Sequence, residues 1–389
     1  MPPGRAMSFL KPRAVERAPG APGRIASGVR QGIARFLIAE FIIQTLPAAV
    51  IVAQPGEPVV RTPSIDPATD ETRQMLQELG SAFSAEQSAH FSIVSDAAPD
   101  RVLPLRRLAE STFADVESFA KRMKLPTKPA KKKMIVLFFD AWESYEKYAE
   151  RTGFRASEWV PGFFDQHTGR CIMFNYANSS LMRKKRADIE SARERLGREA
   201  GQELDTDKAM DARLRDRMRA IADMAQRLDE IEMQINQTVF RHELAHQVLF
   251  HIGLQRHEMK RRRWLQEGLA TQFETPGALN EHRLADFLLI RWGAEEMSLR
   301  RLVTDAELLS SASAESAEVY AAAWGLVYYL IEKHPTDFSW YMATLASPND
   351  EELEAGMDDV AIFERAFGPI DDAFEKRWRA YIQRLSRNR

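Results

Sequence analysis

The stretch His242-Glu243-Leu244-Ala245-His246 places two imidazoles four positions apart with a carboxylate next to the first of them. On an α-helix this spacing puts both rings on one face, where they can share a metal ion, and sets Glu243 beside it. A second stretch, Trp264-Leu265-Gln266-Glu267-Gly268-Leu269-Ala270, follows a basic loop. Glu267 stands there among apolar neighbours, where a carboxylate is costly to bury unless it meets a cation or a donor. It lies 21 positions after His246, enough chain for one reversal and a second helix, and is the natural third ligand. His242, His246 and Glu267 form a Zn2+ donor set that leaves one tetrahedral position for water, whose pKa falls to about 7 on the metal. Glu243 is then placed to take the proton of that water as general base.

The competing interpretation is two ordinary helix histidines, and the paired second motif weighs against it. A third imidazole as ligand would need a glycine three residues after His246 and a histidine three further on, to break the helix and bring another ring round. Leu249 and Ile252 occupy those positions. His251 falls on another face of the helix and is expected at the surface or as a cap, and His257 in a loop.

Composition narrows what can carry such a site. The 389 residues have the apolar and charged fractions of an ordinary globular protein, and the formal net charge of -2 gives no global signal for nucleic acid. The single cysteine, Cys171, excludes an internal disulfide and a multi-cysteine metal site, leaving His, Asp and Glu as ligands.

Residues 1–53 read as a signal peptide or signal anchor: a Pro-, Gly- and Arg-rich leader, an apolar run at 36–53 and small residues before Gln54. Glu40, Gln44 and Pro47 make the run a poor permanent span, so export to the periplasm, envelope or medium is expected, with a membrane tether as the variant outcome. Cleavage after Ala53 would remove seven basic and two acidic residues and take the net charge from -2 to -7.

The elements that must position the site follow from hydrophobic periodicity. Residues 54–85 read as a linker and a short helix over 70–83, and 86–179 as an α/β subdomain. Within it, 90–94 alternates as a strand, 101–123 and 141–152 have helical periods, and the apolar run 134–139 predicts a central strand. Two strand-like runs, 159–164 and 170–175, flank Asp165-Gln166-His167-Thr168-Gly169 as a hairpin. Residues 180–234 are dense in charges of both signs, with Ile189, Leu196, Leu214, Met218, Ile221, Leu228, Ile231 and Ile235 at helical or near-heptad intervals. They predict a solvated, coiled-coil-like helical hairpin turning near 201–207, its second arm entering the His242 helix directly. Residues 235–389 read as a helical subdomain carrying the metal ligands, with its last amphipathic helix over 370–385.

The pairing of His-Glu-Leu-Ala-His-Gln with Trp-Leu-Gln-Glu-Gly-Leu-Ala-Thr resembles the gluzincin metallopeptidases, and specifically the bacterial peptidase MA-like group. Flanking matches are Gly162-Phe163-Phe164-Asp165, Arg170 to Phe174, and the stretch from Tyr320 to Leu330. The resemblance covers about residues 90–330; the long charged hairpin departs from the compact pattern. It implies an α+β, zincin-like fold with a small mixed sheet before a mainly helical subdomain. It further implies a zinc peptidase acting on a peptide or protein substrate, with Arg170 to Asn175 as the edge strand that pairs with an extended peptide. By the same similarity Tyr320 is the first candidate for oxyanion stabiliser and His282 the second. A carboxylate one turn beyond the third ligand is common in the group; Thr271 stands there instead, with Glu274 within another turn, and either would brace a ligand imidazole. The alternative function is a catalytically silent envelope scaffold that docks partners through the charged hairpin, against which the intact Glu243 counts.

Overall fold

The apolar run at 134–139 forms β3 (Met134–Phe139), and all six of its residues are buried. Unbroken hydrophobicity is what a strand covered on both faces requires. In the computed structural model, which describes residues 69–158, 160–202, 208–256, 262–277, 279–293, 297–309, 317–346 and 359–387, this strand is the middle one of five. All of these residues belong to the unit Glu57–Arg389. The others are β1 (Ser84–Gln87), β2 (Phe91–Ser95), β4 (Gly162–Asp165) and β5 (Arg170–Phe174), in the order β1-β2-β3-β5-β4. β2 and β5 run parallel to β3, and β1 and β4 are antiparallel at the two edges.

The order corrects one expectation. Arg170 to Asn175 is not the edge: β5 lies between β3 and β4, and the edge strand on this side is β4. Both runs are apolar and their hairpin is local, so the sequence marks the pair without saying which member also meets β3. β1, four residues with no apolar period, is a strand that hydrophobic alternation does not announce.

Alternation along the strands divides the helices between the two faces. Ile93, Val136, Phe138, Cys171 and Met173 face the main core, with α2 (Pro99–Arg122) and the His242 helix. Val94, Leu137, Phe139, Ile172 and Phe174 are buried on the opposite face. There α1 (Asp70–Leu79) bonds through Thr72 Oγ1 to Ser92, and α3 (Trp142–Arg151) packs Tyr145 edge-on and Tyr148 tilted against Phe139.

The charged segment forms α4 (Ser180–Gln202) and α5 (Lys208–His251); residues 203–207, at the expected turn, lie outside the described residues. α5 runs for 44 residues without glycine or proline and carries the two histidines near its end. Leu196, Leu228 and Ile231 are buried, Arg217 Nη1 donates to Glu199 Oε2 at 2.8 Å, and Arg186 pairs with Glu232. Met218, expected in this seam, is 48% exposed and lies outside it. The helix ends in a Schellman motif at Gly253 (φ 83°), with Gly253 N donating to Phe250 O and Leu254 N to Leu249 O.

Among the described residues the remaining α-helices are α6 (Arg263–Ala270), α7 (Glu281–Leu289), α8 (Leu299–Thr304), α9 (Ala317–Lys333), α10 (Pro335–Ala346), α11 (Asp359–Phe367) and α12 (Asp372–Leu385). The fold is thus α+β, a five-stranded mixed sheet followed by a mainly helical region. Among the described residues no helix is long and apolar enough to cross a membrane, and the apolar run 36–53 lies outside them. α9 is the axle of the helical part: Ala321, Ala322, Ala323, Trp324, Leu326 and Val327 are all buried. α6 approaches it so closely at Gly268 that a Cβ there would sit 2.6 Å from Ala323 O and from Val327 Cγ2. Because Gly268 follows Glu267, this contact fixes the depth of Glu267. Gly268→Ala is expected to cost about 1–3 kcal/mol, the range for overpacking a core; urea unfolding with an unchanged midpoint would contradict that close approach.

Candidate metal centre

His242 and His246 face the start of α6, and Glu267 reaches back from it. His242 Nε2 lies 3.2 Å from Glu267 Oε2, His246 Nε2 lies 3.3 Å from the same oxygen, and the two Nε2 atoms are 3.2 Å apart. The vertices of a tetrahedron with bonds of about 2.0–2.1 Å are about 3.3 Å apart, so the three donors are spaced as three corners of a zinc site. Both histidines are buried, and the three residues form a group that can hold a metal ion.

The hydrogen bonds behind the rings decide what the triangle contains. His242 Nδ1 lies 2.9 Å from Glu274 Oε1, and an ionised carboxylate only accepts, so this nitrogen carries a proton. His246 Nδ1 lies 3.2 Å from Gln255 Oε1, and that amide is oriented by Gln255 Nε2 donating to Gln266 O at 3.3 Å. His246 therefore also protonates Nδ1. In the neutral rings both Nε2 atoms present lone pairs to a third acceptor, Glu267 Oε2, and three acceptors at this distance require a cation between them.

Electrostatics without the metal point the same way. Burial works against a charged His242, but its bonds to Glu267 and Glu274 outweigh that and push it up to about 10. Burial likewise raises the Glu267 carboxyl, yet the two imidazoles hold it well below the usual carboxylate range. A proton on His242 is thus the metal-free chain's substitute for the ion.

Glu243 and Tyr320 lie around this triangle. Burial raises the Glu243 carboxyl, the two imidazoles oppose the rise and Glu267 adds to it. The backbone of Phe164 beside it opposes the rise as well. In the β4–β5 ladder Phe174 N donates to Pro161 O, so by alternation Gly162 and Phe164 turn their backbone groups to the open side of β4, toward Glu243. The Tyr320 ring lies 6.1 Å from that of His242, and burial together with Glu267 and Glu243 pushes its phenol well up, keeping it a neutral donor.

Other expected residues sit elsewhere. His282 is half-exposed and its partner is Asp286, at 3.9 Å. Thr271 is buried and its hydroxyl donates to Gly268 O at 2.8 Å within the helix end, and both imidazole Nδ1 atoms bond elsewhere, to Glu274 and Gln255. Glu274, which follows a 3-10 turn over Thr271–Phe273, is the brace of His242. His251 donates through Nε2 to Gly169 O at 3.2 Å, away from the triangle, and His257 lies outside the described residues.

Four supporting residues carry no motif: Gln255, Asn280, Arg283 and Arg241. Arg241 is fully buried and donates to Phe273 O at 2.6 Å and to Asp115 Oδ2 at 2.6 Å, tying α5 to α2 and to the turn before Glu274. A buried arginine beside a ligand histidine was the only available signal.

Residues 236–349 match the protein family described as "Protein of unknown function (DUF1570)". No curated protein matches the chain. The matched stretch contains every side chain of the triangle together with Glu243, Glu274, Arg283 and Tyr320. Fold and site together define an α+β protein with a buried HExxH-like His/His/Glu group that could hold a metal ion.

The purified chain is expected to bind one zinc, and His242→Ala to lose it, as read by metal analysis after dialysis. Because His242 holds its proton up to about 10 when metal-free, zinc must displace that proton at every lower pH. Apparent affinity should then fall about tenfold per pH unit on acidification across the neutral range; a flat affinity between pH 6 and 8 would contradict this.

Proposed function

We propose that the protein is a zinc-dependent peptidase of gluzincin type, with His242, His246 and Glu267 as ligands and Glu243 as general base. The observation that carries this reading is the convergence of three acceptor lone pairs beside a fourth, non-ligand carboxylate that faces a sheet edge. Zinc, when bound, supplies a Lewis acid for the scissile carbonyl and an acidified water. Glu243 takes the proton of the attacking water and returns it to the leaving amine. Its upward shift brings the carboxyl closer to neutrality, where a group that must both accept and donate is most effective. Tyr320 donates to the developing oxyanion, a role its neutral phenol suits.

The substrate class follows from β4. A short edge strand whose outward backbone groups lie next to the base is suited to an extended peptide, held by main-chain hydrogen bonds. The substrate is therefore a peptide or an unstructured segment of a protein. Export through residues 1–53 puts the activity outside the cytoplasm, with the 36–53 run as a tether where it is retained; N-terminal sequencing of the mature protein should begin at Gln54, and retention of Met1 would exclude cleavage.

Glu243→Gln should keep stoichiometric zinc and lower cleavage of a peptide library by roughly 10²–10⁴-fold. Wild-type turnover in that variant would sink the reading. Tyr320→Phe should lower kcat by roughly 10²–10³-fold, the usual cost of one oxyanion donor, with zinc content unchanged.

A further inference from the structure

Glu274 braces His242, and its own placement has a single dominant cause. Arg283, from the first turn of α7, donates Nε to Glu274 Oε2 at 2.9 Å and Nη2 to Oε1 at 2.7 Å, the two-pronged geometry of a guanidinium on a carboxylate. Asn280 Nδ2 adds a bond to Oε2 at 2.8 Å, while His242 Nδ1 takes Oε1 at 2.9 Å. Both oxygens therefore have two donors, and the carboxylate cannot turn without breaking bonds. Glu274 is 2% exposed in its side chain and Arg283 15%, so water is a poor replacement for either partner.

The same guanidinium reaches a second part of the site. Arg283 Cζ lies 5.4 Å from the centroid of the Tyr320 ring, in cation–π range, and that ring lies 6.1 Å from His242. One cation thus contacts both the carboxylate behind a ligand and the phenol beside it. Its anchorage is local: Asn280 Oδ1 caps α7 by accepting from Arg283 N at 3.1 Å, and Asn280 Nδ2 also donates to Thr271 O at 3.2 Å. The start of α7 is by this means bound to the end of α6, which bears Glu267.

We infer that Arg283 is a positioning residue that couples the two halves of the site, holding Glu274 in register with His242 through its fork and holding Tyr320 beside His242 through its ring contact. The inference rests on the zinc-peptidase reading above. Arg283 touches neither the ion nor the substrate; it acts on zinc through Glu274 and on the oxyanion through Tyr320. Lysine is a poor substitute, because it keeps a charge near the ring but has no planar fork for the carboxylate.

The test uses the full chain, with zinc affinity measured by competition against a chromogenic chelator and turnover measured on the zinc-loaded protein. Arg283→Met should weaken zinc by roughly 10–100-fold, the usual cost of losing the group behind a ligand histidine, and should also lower kcat. Arg283→Lys should recover part of the kcat loss and little of the affinity loss, and it serves in place of Arg283→Met if that variant does not fold. Glu274→Gln should weaken zinc similarly, and the double variant should lose less than the two single losses multiplied. Cobalt-substituted Arg283→Lys should show shifted visible absorption bands, which a remote stability defect would not produce. Folded Arg283 variants with wild-type zinc affinity, or a loss fully multiplicative with that of Glu274→Gln, would overturn the inference. A wild-type chain that takes up no zinc overturns both this and the reading beneath it. A chain that binds zinc and cleaves no peptide removes only the peptidase reading and leaves the affinity cycle decisive for the Arg283–Glu274 half.

Discussion

Two imidazoles and a carboxylate aim unshared electron pairs into one small space, and most of what surrounds them serves to keep them there. Left alone the three acceptors repel, and the metal-free chain relieves this by keeping a proton on His242. Each ring is prevented from turning away by a partner at its far nitrogen, Glu274 for His242 and Gln255 for His246. Those partners are fixed in turn, Glu274 by Arg283 and Asn280, and Gln255 by the backbone of Gln266. The repulsion at the centre is thus opposed by hydrogen bonds two layers deep, and a divalent cation converts the same repulsion into attraction.

The packing is arranged around that requirement. α5 is held to the sheet by Gln247, whose amide donates to Ile135 O at 2.8 Å and Gly169 O at 2.9 Å, and by Cys171 donating to Glu243 O at 3.1 Å. α6 is seated by the absence of a side chain at Gly268 against α9. Arg241 then joins α5 to the turn after α6, adding a side-chain bond to the packing between these two helices. The absence of a glycine or proline between Lys208 and His251 makes the charged arm and the ligand-bearing turn one continuous element.

What was legible in the sequence is what depends on local period. The two histidines four apart, the buried run of β3, the hairpin over β4 and β5 and the merging of the charged arm into α5 all follow from spacing along one element. Glu267 was legible because a carboxylate buried in an apolar stretch must meet a cation or a donor there. Of the two braces expected beyond Glu267, the hydroxyl of Thr271 bonds within the helix end and Glu274, a further turn on, meets His242. The exchange of edge strand between β5 and β4 has a different cause: parallel pairing of β5 with β3 is non-local, and nothing within either run encodes it. Gln255, Asn280 and Arg283 were invisible for a related reason, since polar residues in and after turns are common and only the fold brings these three behind the rings.

The division of the site between parts of the chain has its own consequence. The ligands, their braces and Tyr320 all fall within 236–349, the stretch that matches the family of unknown function. The strand whose open side meets Glu243 comes from 162–165, well outside it, and is joined to the ligand helix through the charged hairpin. The metal-ligating candidates and the strand beside Glu243 are therefore encoded separately, and changes in the sheet or the hairpin can alter what reaches Glu243 without moving the triangle. The two meet where the Phe164 ring lies 5.4 Å from that of Phe250 and where Gly162 lies against Glu243. A Cβ at Gly162 would sit 2.5 Å from Met173 Cγ and 3.4 Å from Glu243 Cγ, so the space beside Glu243 is set by the register of β4 on β5.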